Sequence, residues 1–287
     1  MGNAGNGERF VDLHTHTCAS DGTDTPEALV AKAAKASLTA IAVTDHDTLA
    51  GLDEACAAGA RHGITVVRGS EIAAASPHGE IHILGLWLPE HAPRLEAALA
   101  HIRKGRDERN REMAEGLRKA GYPVTYEEFL ALVKGESGAR PHMARLLVAK
   151  GICSSPEEAF SRFLGEGKPM FVPRSLPAPE EVVSLLASEG AVTVFAHPML
   201  VKAPLDWLYA LVGTLVDAGL HALEAYHAEH DAKAVRRAVS LARHYKLALS
   251  GGSDYHGEAR PHSPLGFGSG GNRVPYALLE RLHACRQ

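Results

Sequence analysis

The 287-residue chain is long enough for one large domain or two modest ones, and 45% hydrophobic with 22% charged residues is an ordinary composition for a globular fold with its own core. Its formal charge of −4, from 30 Lys+Arg against 34 Asp+Glu, argues against a protein held mainly by attraction to duplex DNA or an anionic membrane, but leaves room for a local basic pocket. No apolar run approaches the roughly 18 residues of a membrane span, the N-terminal MGNAGNGERF lacks a signal-peptide core, and Cys18, Cys56, Cys153 and Cys285 are widely separated, so a reduced cytoplasm is expected and a cysteine zinc site is not.

Short apolar runs at 9–14, 39–44, 64–72, 81–88, 191–197, 222–227 and 248–254 read as buried strands. Helical stretches separate several of them. The stretch 26–36 follows Thr25 as N-cap, with Pro26 in the first turn; 49–62 stops at Gly63; 231–245 carries Val235, Val239 and Ala242 on one side. This alternation predicts an α/β fold with a mainly parallel sheet or barrel, built from residues 9–88 and 191–287. Between them, 89–190 breaks the pattern. Helices are expected there at 93–120, 126–134, 141–150, 156–164 and 179–189, as a helical insertion or cap.

The 17 histidines outnumber the Phe, Tyr and Trp residues together. Histidine is the commonest metal ligand and titrates near neutrality. Polar residues also track the strand ends: His14 and His16 at the first, Asp45 and His46 at the second, Glu71 at the third, His197 at the fifth, Asp254 and His256 after the last. His82 lies near the start of the fourth run, which suits a strand running opposite to the third. In a barrel, residues at the C-terminal ends of the strands converge on one pocket. His14 and His16, two apart on a strand, point the same way and can share an ion. With Asp21 of SDG, nine candidate ligands emerge: His14, His16, Asp21, His46, Glu71, His82, His197, Asp254 and His256. They are too many for one ion and enough for two or three. A His and carboxylate set without Cys suits Mn²⁺, Fe²⁺ or Zn²⁺.

HTH, SDG, TDHD, GSE, the strand histidine, AHP and GSDYHG, in this order from Asp12 to His256, resemble the PHP (polymerase and histidinol phosphatase) family. The resemblance implies a distorted (β/α)₇ TIM-like barrel that hydrolyses phosphoesters with a two- or three-ion cluster. It implies that His14, His16, Glu71 and Asp254 hold one ion. Glu71 bridges to a second with His82 and His197, and Asp21, His46 and His256 hold a third. Within the family the chain is most similar to the branch that takes the 3′-phosphate from nucleoside 3′,5′-bisphosphates, whose relatives also trim short RNA from the 5′ end. The insertion matches that branch. Its IRKGRDERNR places Arg106 and Arg109 three apart on one helix face, and ARPHMAR supplies Arg140 and His142. The resemblance makes these four, with Asp21, substrate-binding residues. Two phosphates need more positive charge than the ions supply, and the Arg fork matches phosphate oxygens. By residue pattern alone, Arg103, Arg106 and Arg109 read rather as a solvated face paired with Asp107, Glu108 and Glu112, and it is the resemblance that favours the substrate-binding reading.

The mechanism implied is in-line attack on phosphorus by a hydroxide shared between two ions, without a phosphoenzyme. Asp21, His46 and His256 then support an ion at the leaving oxygen and count as catalytic. The expected partners are a small nucleotide and short RNA 5′ ends, with no duplex DNA and no membrane. A histidinol-phosphate phosphatase and a non-catalytic polymerase accessory module share the cluster and stand as alternatives. Glu224 and Tyr226 of LEAYHAEHD are further candidates to shape the substrate site, His227 could line the pocket, and the Gly-rich 266–272 reads as a flexible loop rather than a P-loop.

Overall fold

The structure, a computed structural model, describes residues 8–286; most of the polar N-terminal stretch lies outside the described residues. Eight strands form one sheet: β1 (Phe10–Thr15), β2 (Ala40–Val43), β3 (Thr65–Ser76), β4 (Gly79–Leu86), β5 (Val192–Phe195), β6 (Ala222–His227), β7 (Ala248–Gly252) and β8 (Val274–Pro275). The order across it is β7-β6-β5-β4-β3-β2-β1-β8. Neighbours pair in parallel, except that β4 is antiparallel to both β3 and β5, and β8 is an antiparallel edge on β1. The sheet curls until Thr15 bridges in parallel to Tyr255, just past β7, and the His16 N–H donates to the Tyr255 carbonyl at 2.8 Å. A nearly closed α/β barrel of seven strands results, as the sequence predicts.

Helices α1 (Pro26–Lys35) and α2 (Leu52–His62) cover β2, with Leu29, Val30, Leu52 and Ala55 packed on Ile41 and Val43. Thr25 caps α1 by accepting from the Ala28 N–H, and Gly63 ends α2 at φ 67°. After β4 come α3 (Pro93–Lys119), α4 (Tyr126–Leu130), α5 (Arg140–Ala149), α6 (Pro156–Ala159), a π-turn (Phe160–Leu164) and α7 (Pro179–Ser188). α3 bridges two cores. Its first half puts Leu95, Leu99 and Ile102 into the barrel's outer layer; its second half puts Met113, Ala114 and Leu117 into a separate core with Phe129, Met143, Leu147 and Phe163. α7 packs Val182, Val183 and Leu186 against the barrel, so by its contacts it belongs to the outer layer.

Sequence reading missed two helices, α8 (Leu205–Asp217) and α10 (Tyr276–Ala284), while the expected α9 (Ala232–His244) formed. The apolar run of α8 blurs the helical period. α10 follows the two-residue β8, too short a strand to announce itself. Leu278, Leu279 and Leu282 of α10 join Val11, Ala40, Val192 and Ala222 in the barrel interior. Those are early residues of parallel strands, so apolar side chains fill the lower barrel and the polar cluster takes the opposite end.

Candidate metal centre

A register shift in β1 between Asp12 and Thr15 breaks the strict alternation of its side chains. Val11 and Leu13 face the interior core, and His14 and His16 also face the pocket. Asp12 instead accepts hydrogen bonds from the Ser253 and Gly266 N–H groups, at 2.9 and 2.7 Å, and from the Ser253 hydroxyl. Burial pushes its carboxyl up to about 6 against those bonds. The SDG glycine has a steric reason: a Cβ on Gly22 would stand 2.7 Å from the His16 carbonyl oxygen.

TDHD divides its work among three residues. Asp45 accepts from the Thr17 N–H at 2.8 Å and from the Thr17 and Ser20 hydroxyls, at 2.7 and 2.6 Å, which shapes the loop carrying Asp21. His46 pairs alongside Glu71 as an isolated parallel bridge. Asp47, at φ 54°, turns toward the insertion. Glu71 does not end the third strand as expected. β3 runs on to Ser76, because its hairpin with β4 extends past the barrel rim, where Ser76 pairs with Gly79. The antiparallel β4 then returns His82 to the rim as predicted. His197 lies just past β5 at φ 30°, and Asp254 just past β7 at φ 53°. Positive φ at three such residues is strain of the kind that concentrates at functional sites.

All nine predicted residues meet. Glu71 is their hub: its Oε1 lies 2.9 Å from His82 Nδ1 and 3.0 Å from His197 Nε2, and its Oε2 lies 3.0 Å from His46 Nδ1 and 3.3 Å from His14 Nε2 and His16 Nε2. Asp254 Oδ1 is 3.2 Å from His16 Nε2 and 3.5 Å from His14 Nε2; Asp21 Oδ1 is 3.3 Å from His256 Nε2 and 3.9 Å from His46 Nε2. Three overlapping groups could each hold an ion: His14, His16, Glu71 and Asp254; His46, Glu71 and His82; and His16, Asp21, His46 and His256. The expected grouping changes in three respects, the first being that His197 falls in none of the three groups. His46 stands in two groups, and His16 joins Asp21. His197 touches the hub at the same carboxylate oxygen as His82.

The donors fit divalent cations. His14 Nε2, both nitrogens of His16, Asp21 Oδ1, His46 Nδ1, Glu71 Oε2 and His82 Nδ1 are buried without a hydrogen-bond partner. Such orphaned atoms are rare in folded proteins unless something binds them. Without an ion, burial disfavours charge on the imidazoles, yet Asp254 and Glu71 lift His16 to about 9, and Glu71 and Glu80 lift His82 to about 10. Burial keeps His197 down at about 4. A raised histidine pKa stabilises the ion-free fold below the unfolded value of about 6.5, and this is lost as pH rises through 9 to 10. Cations compete for the same lone pairs. Metal uptake therefore releases protons below pH 9, and affinity climbs from pH 6 to 9. Titration calorimetry in buffers of different ionisation heat checks this; a proton-neutral uptake at pH 7 contradicts it.

A second polar group adjoins the first. Arg106 and Arg109 are only 5% and 4% exposed, which rules out the solvated-face reading for them. The salt-bridged face is instead carried by Arg111 with Asp107 and by Lys104 with Glu108. Arg106 pairs with Asp47, and Arg140 Nη2 lies 3.8 Å from Glu80 Oε2. Arg174, unforeseen, joins them: Nη2 lies 2.8 Å from Glu80 Oε1, Nη1 lies 3.5 Å from Asp47 Oδ2, and its Nε has no partner. An arginine in the irregular segment before α7 carries no periodic or spacing signal. Burial and neighbouring Arg106, Arg174 and Arg140 hold the Arg109 guanidinium well below its usual range, and it bonds only Asn110 Oδ1, at 2.9 and 3.2 Å. Arg109, Arg140 and Arg174 line a cavity of about 210 Å³ with Glu80, Glu166 and Phe171. Glu80 ties the groups together, 3.2 Å from His82 Nε2. His142 is buried, its Nδ1 accepts from the Ala139 N–H at 3.1 Å, and burial beside Arg145 depresses it to about 4.

Other expectations are corrected. Tyr226 packs on apolar neighbours outside the pocket, because a register shift in β6 between Glu224 and Tyr226 turns it away. Glu224 lies behind His14. The Gly-rich loop is packed: a Cβ on Gly268 would lie 2.4 Å from the Tyr226 carbonyl oxygen, and Phe267 bridges to Arg273. Burial and Asp45 raise the Cys18 thiol, so it is no ready nucleophile. Gly252 supports the cluster sterically: a Cβ there would stand 2.5 Å from His14 Cβ. Gly252→Ala should cost about 1–3 kcal/mol in urea unfolding and weaken metal uptake; wild-type values for both would refute the packing argument.

Comparison with known proteins agrees with this geometry. Residues 12–162 match the PHP domain family model. The chain is 34% identical over 249 residues to the 5′-3′ exoribonuclease Rnm of Salmonella typhimurium, covering 86% of this chain and 85% of that one. It is 32% identical over 247 residues to the 3′,5′-nucleoside bisphosphate phosphatase of Chromobacterium violaceum, covering 86% and 87%. A solved structure from Bifidobacterium adolescentis, assigned as a metal-dependent phosphoesterase, superposes with a TM-score of 0.87 at 30% identity over 96% of both chains. The barrel, the clustered donors and these matches place the chain in the PHP domain family of metal-dependent phosphoesterases.

Proposed function

We propose that this chain removes the 3′-phosphate of nucleoside 3′,5′-bisphosphates, leaving the 5′-monophosphate, and that it trims short RNA from the 5′ end. The observation that carries the reading is the arginine group beside the metal centre. Of its four buried or half-buried guanidiniums, those of Arg106, Arg140 and Arg174 meet two carboxylates, Asp47 and Glu80, and among the described residues Arg109 meets none. Against those two carboxylates the four guanidiniums leave an excess of two positive charges, with Glu166 at the exposed edge of the cavity, and this matches a phosphate monoester of roughly −1.5 to −2. One phosphate would then react at the cluster while Arg106, Arg109, Arg140 and Arg174 orient the other. His142, held neutral by burial beside Arg145, lies within electrostatic reach of Asp21 and Arg106 and is assigned to the same site. The same excess opposes a substrate carrying an ammonium group, which counts against histidinol phosphate.

We infer Mn²⁺, as two or three ions, with Fe²⁺ and Zn²⁺ accepted by the same donors. Bound divalent cations supply an activated water and charge to meet the phosphoryl oxygens. Asp21, His46 and His256 are assigned to the end of the cluster that meets charge on the departing sugar oxygen. The four cysteines, all free, suit a reducing cytoplasm. The helices from α3 to α6, with the irregular segment before α7, act as the cap that brings the arginines to the barrel.

The test is phosphate release from adenosine 3′,5′-bisphosphate (pAp) with Mn²⁺, with 5′-AMP, 3′-AMP and histidinol phosphate as controls. Preferred turnover of pAp with 5′-AMP accumulating is expected. No phosphate from pAp, or faster release from histidinol phosphate, sinks the reading.

A further inference from the structure

Strand β6 supplies none of the nine cluster residues, yet it runs directly behind them. Glu224 is fully buried there. Its Oε1 accepts from His14 Nδ1 at 3.0 Å, and its Oε2 accepts from the His197 N–H at 2.7 Å. The other ring nitrogen of His14, Nε2, is buried and without a hydrogen-bond partner, 3.3 Å from Glu71 and 3.5 Å from Asp254. An imidazole that donates through Nδ1 presents its lone pair at Nε2. Glu224 thus sets both the tautomer and the ring orientation of His14. Its second bond restrains the backbone at His197, where φ 30° and ψ 52° are costly for a non-glycine residue.

The register shift after Glu224 lets β6 direct a second side chain, His227, inward three positions on, one position out of phase with strict alternation. His227 Nδ1 accepts from the Glu229 N–H at 3.1 Å, so its proton sits on Nε2, which donates to Asp254 Oδ2 at 3.3 Å. Asp254 Oδ2 is also held by Arg260. Asp254 Oδ1 is left facing His14, His16 and His256.

We infer that Glu224 is a positioning residue that holds His14 and His197 in the geometry a divalent cation requires without itself being a ligand, and that His227 does the same for Asp254. The inference rests on the metal-centre reading. Partners that orient metal-binding histidines are typically worth about 10–100-fold in affinity or activity.

The experiment compares wild type, Glu224→Gln, Glu224→Ala and His227→Ala. Mn²⁺ affinity is measured by calorimetry, the absorption spectrum of the Co²⁺-loaded protein is recorded, and kcat and KM are read at saturating metal. Glu224→Gln keeps an acceptor but removes the charge, and about tenfold weaker Mn²⁺ binding is expected; Glu224→Ala should reach about a hundredfold. The Co²⁺ spectrum should change, kcat should fall and KM should hold. A folded Glu224→Gln with wild-type affinity and an unchanged spectrum overturns the inference. So does a Glu224→Gln that fails to fold, since the residue would then be structural. A wild-type chain that takes up neither Mn²⁺ nor Co²⁺ removes the metal-centre reading itself, a result distinct from a change confined to the variants.

Discussion

Glu71→Gln should abolish metal binding and lower kcat by roughly a thousandfold, about 4 kcal/mol of barrier. The substitution is nearly isosteric, so the effect isolates the charge. Glu71 is fully buried and stands within 3.3 Å of five imidazoles, those of His14, His16, His46, His82 and His197. No other carboxylate joins two of the three candidate groups. A Gln offers one acceptor and turns an amide N–H toward ring nitrogens that should face a cation. The ion-free chain should suffer as well. The His16 and His82 imidazoles are held protonated by this carboxylate together with Asp254 and Glu80, and removing one partner of a buried pair costs about 3–5 kcal/mol. By the sign worked out above, that loss is largest at pH 6 and shrinks as pH rises through 9 to 10. Metal content after chelator exchange, together with urea unfolding in EDTA at pH 6 and pH 9.5, checks both parts. A variant that retains its metal would show that the cluster is organised around another residue.

Arg109→Ala should raise KM for pAp about 10–100-fold, the equivalent of about 1.5–3 kcal/mol for hydrogen bonds to a charged group. Mn²⁺ affinity should stay at the wild-type value, because Arg109 touches none of the cluster residues. The stability of the variant separates a binding role from a structural one. Among the described residues Arg109 pairs with no carboxylate, and burial with Arg106, Arg174 and Arg140 depresses its pKa. Deleting it relieves like-charge repulsion, so the folded state should be as stable as the parent or more so. Arg106→Ala is the contrasting case. It strands Asp47, a buried carboxylate whose only other cation is Arg174 at 3.5 Å, and should destabilise the fold by about 3–5 kcal/mol. Steady-state kinetics and thermal unfolding of the two variants decide the matter. An unchanged KM in Arg109→Ala would remove the arginine group from the substrate site.

Much of the site was legible because its chemistry is unusual. His and carboxylate residues at strand ends have few structural uses, so their repetition through HTH, TDHD, GSE, AHP and GSDYHG carried information that single motifs lack. The reversed β4 was legible too, since His82 sits at the start of its run where the other ligands sit at the ends. Arg174 was not legible, because an arginine in an irregular segment looks like any surface arginine until the chain packs. Glu224 was visible as a candidate to shape the substrate site, but the fold buries it behind His14. Its distance from His14 along the chain hides a 3.0 Å contact.

By itself the sequence determined the α/β class, the nine His and carboxylate candidates that the fold brings together, and the helical stretch that interrupts the barrel. These depend on periodicity and residue chemistry, which are local properties. The tertiary structure decided which donors lie close enough to share an ion, which arginines turn inward, and which carboxylate stands among the imidazoles and which behind them. Register shifts in β1 and β6 decide which side chains face the pocket, and strict alternation gives no sign of them. Whether Arg106 and Arg109 meet solvent or Asp47 and Asn110 depends on how α3 lies across the barrel. Coulomb and hydrogen-bond energies are set by distance in space, and residues as far apart as His14 and Asp254 become neighbours only when the barrel closes.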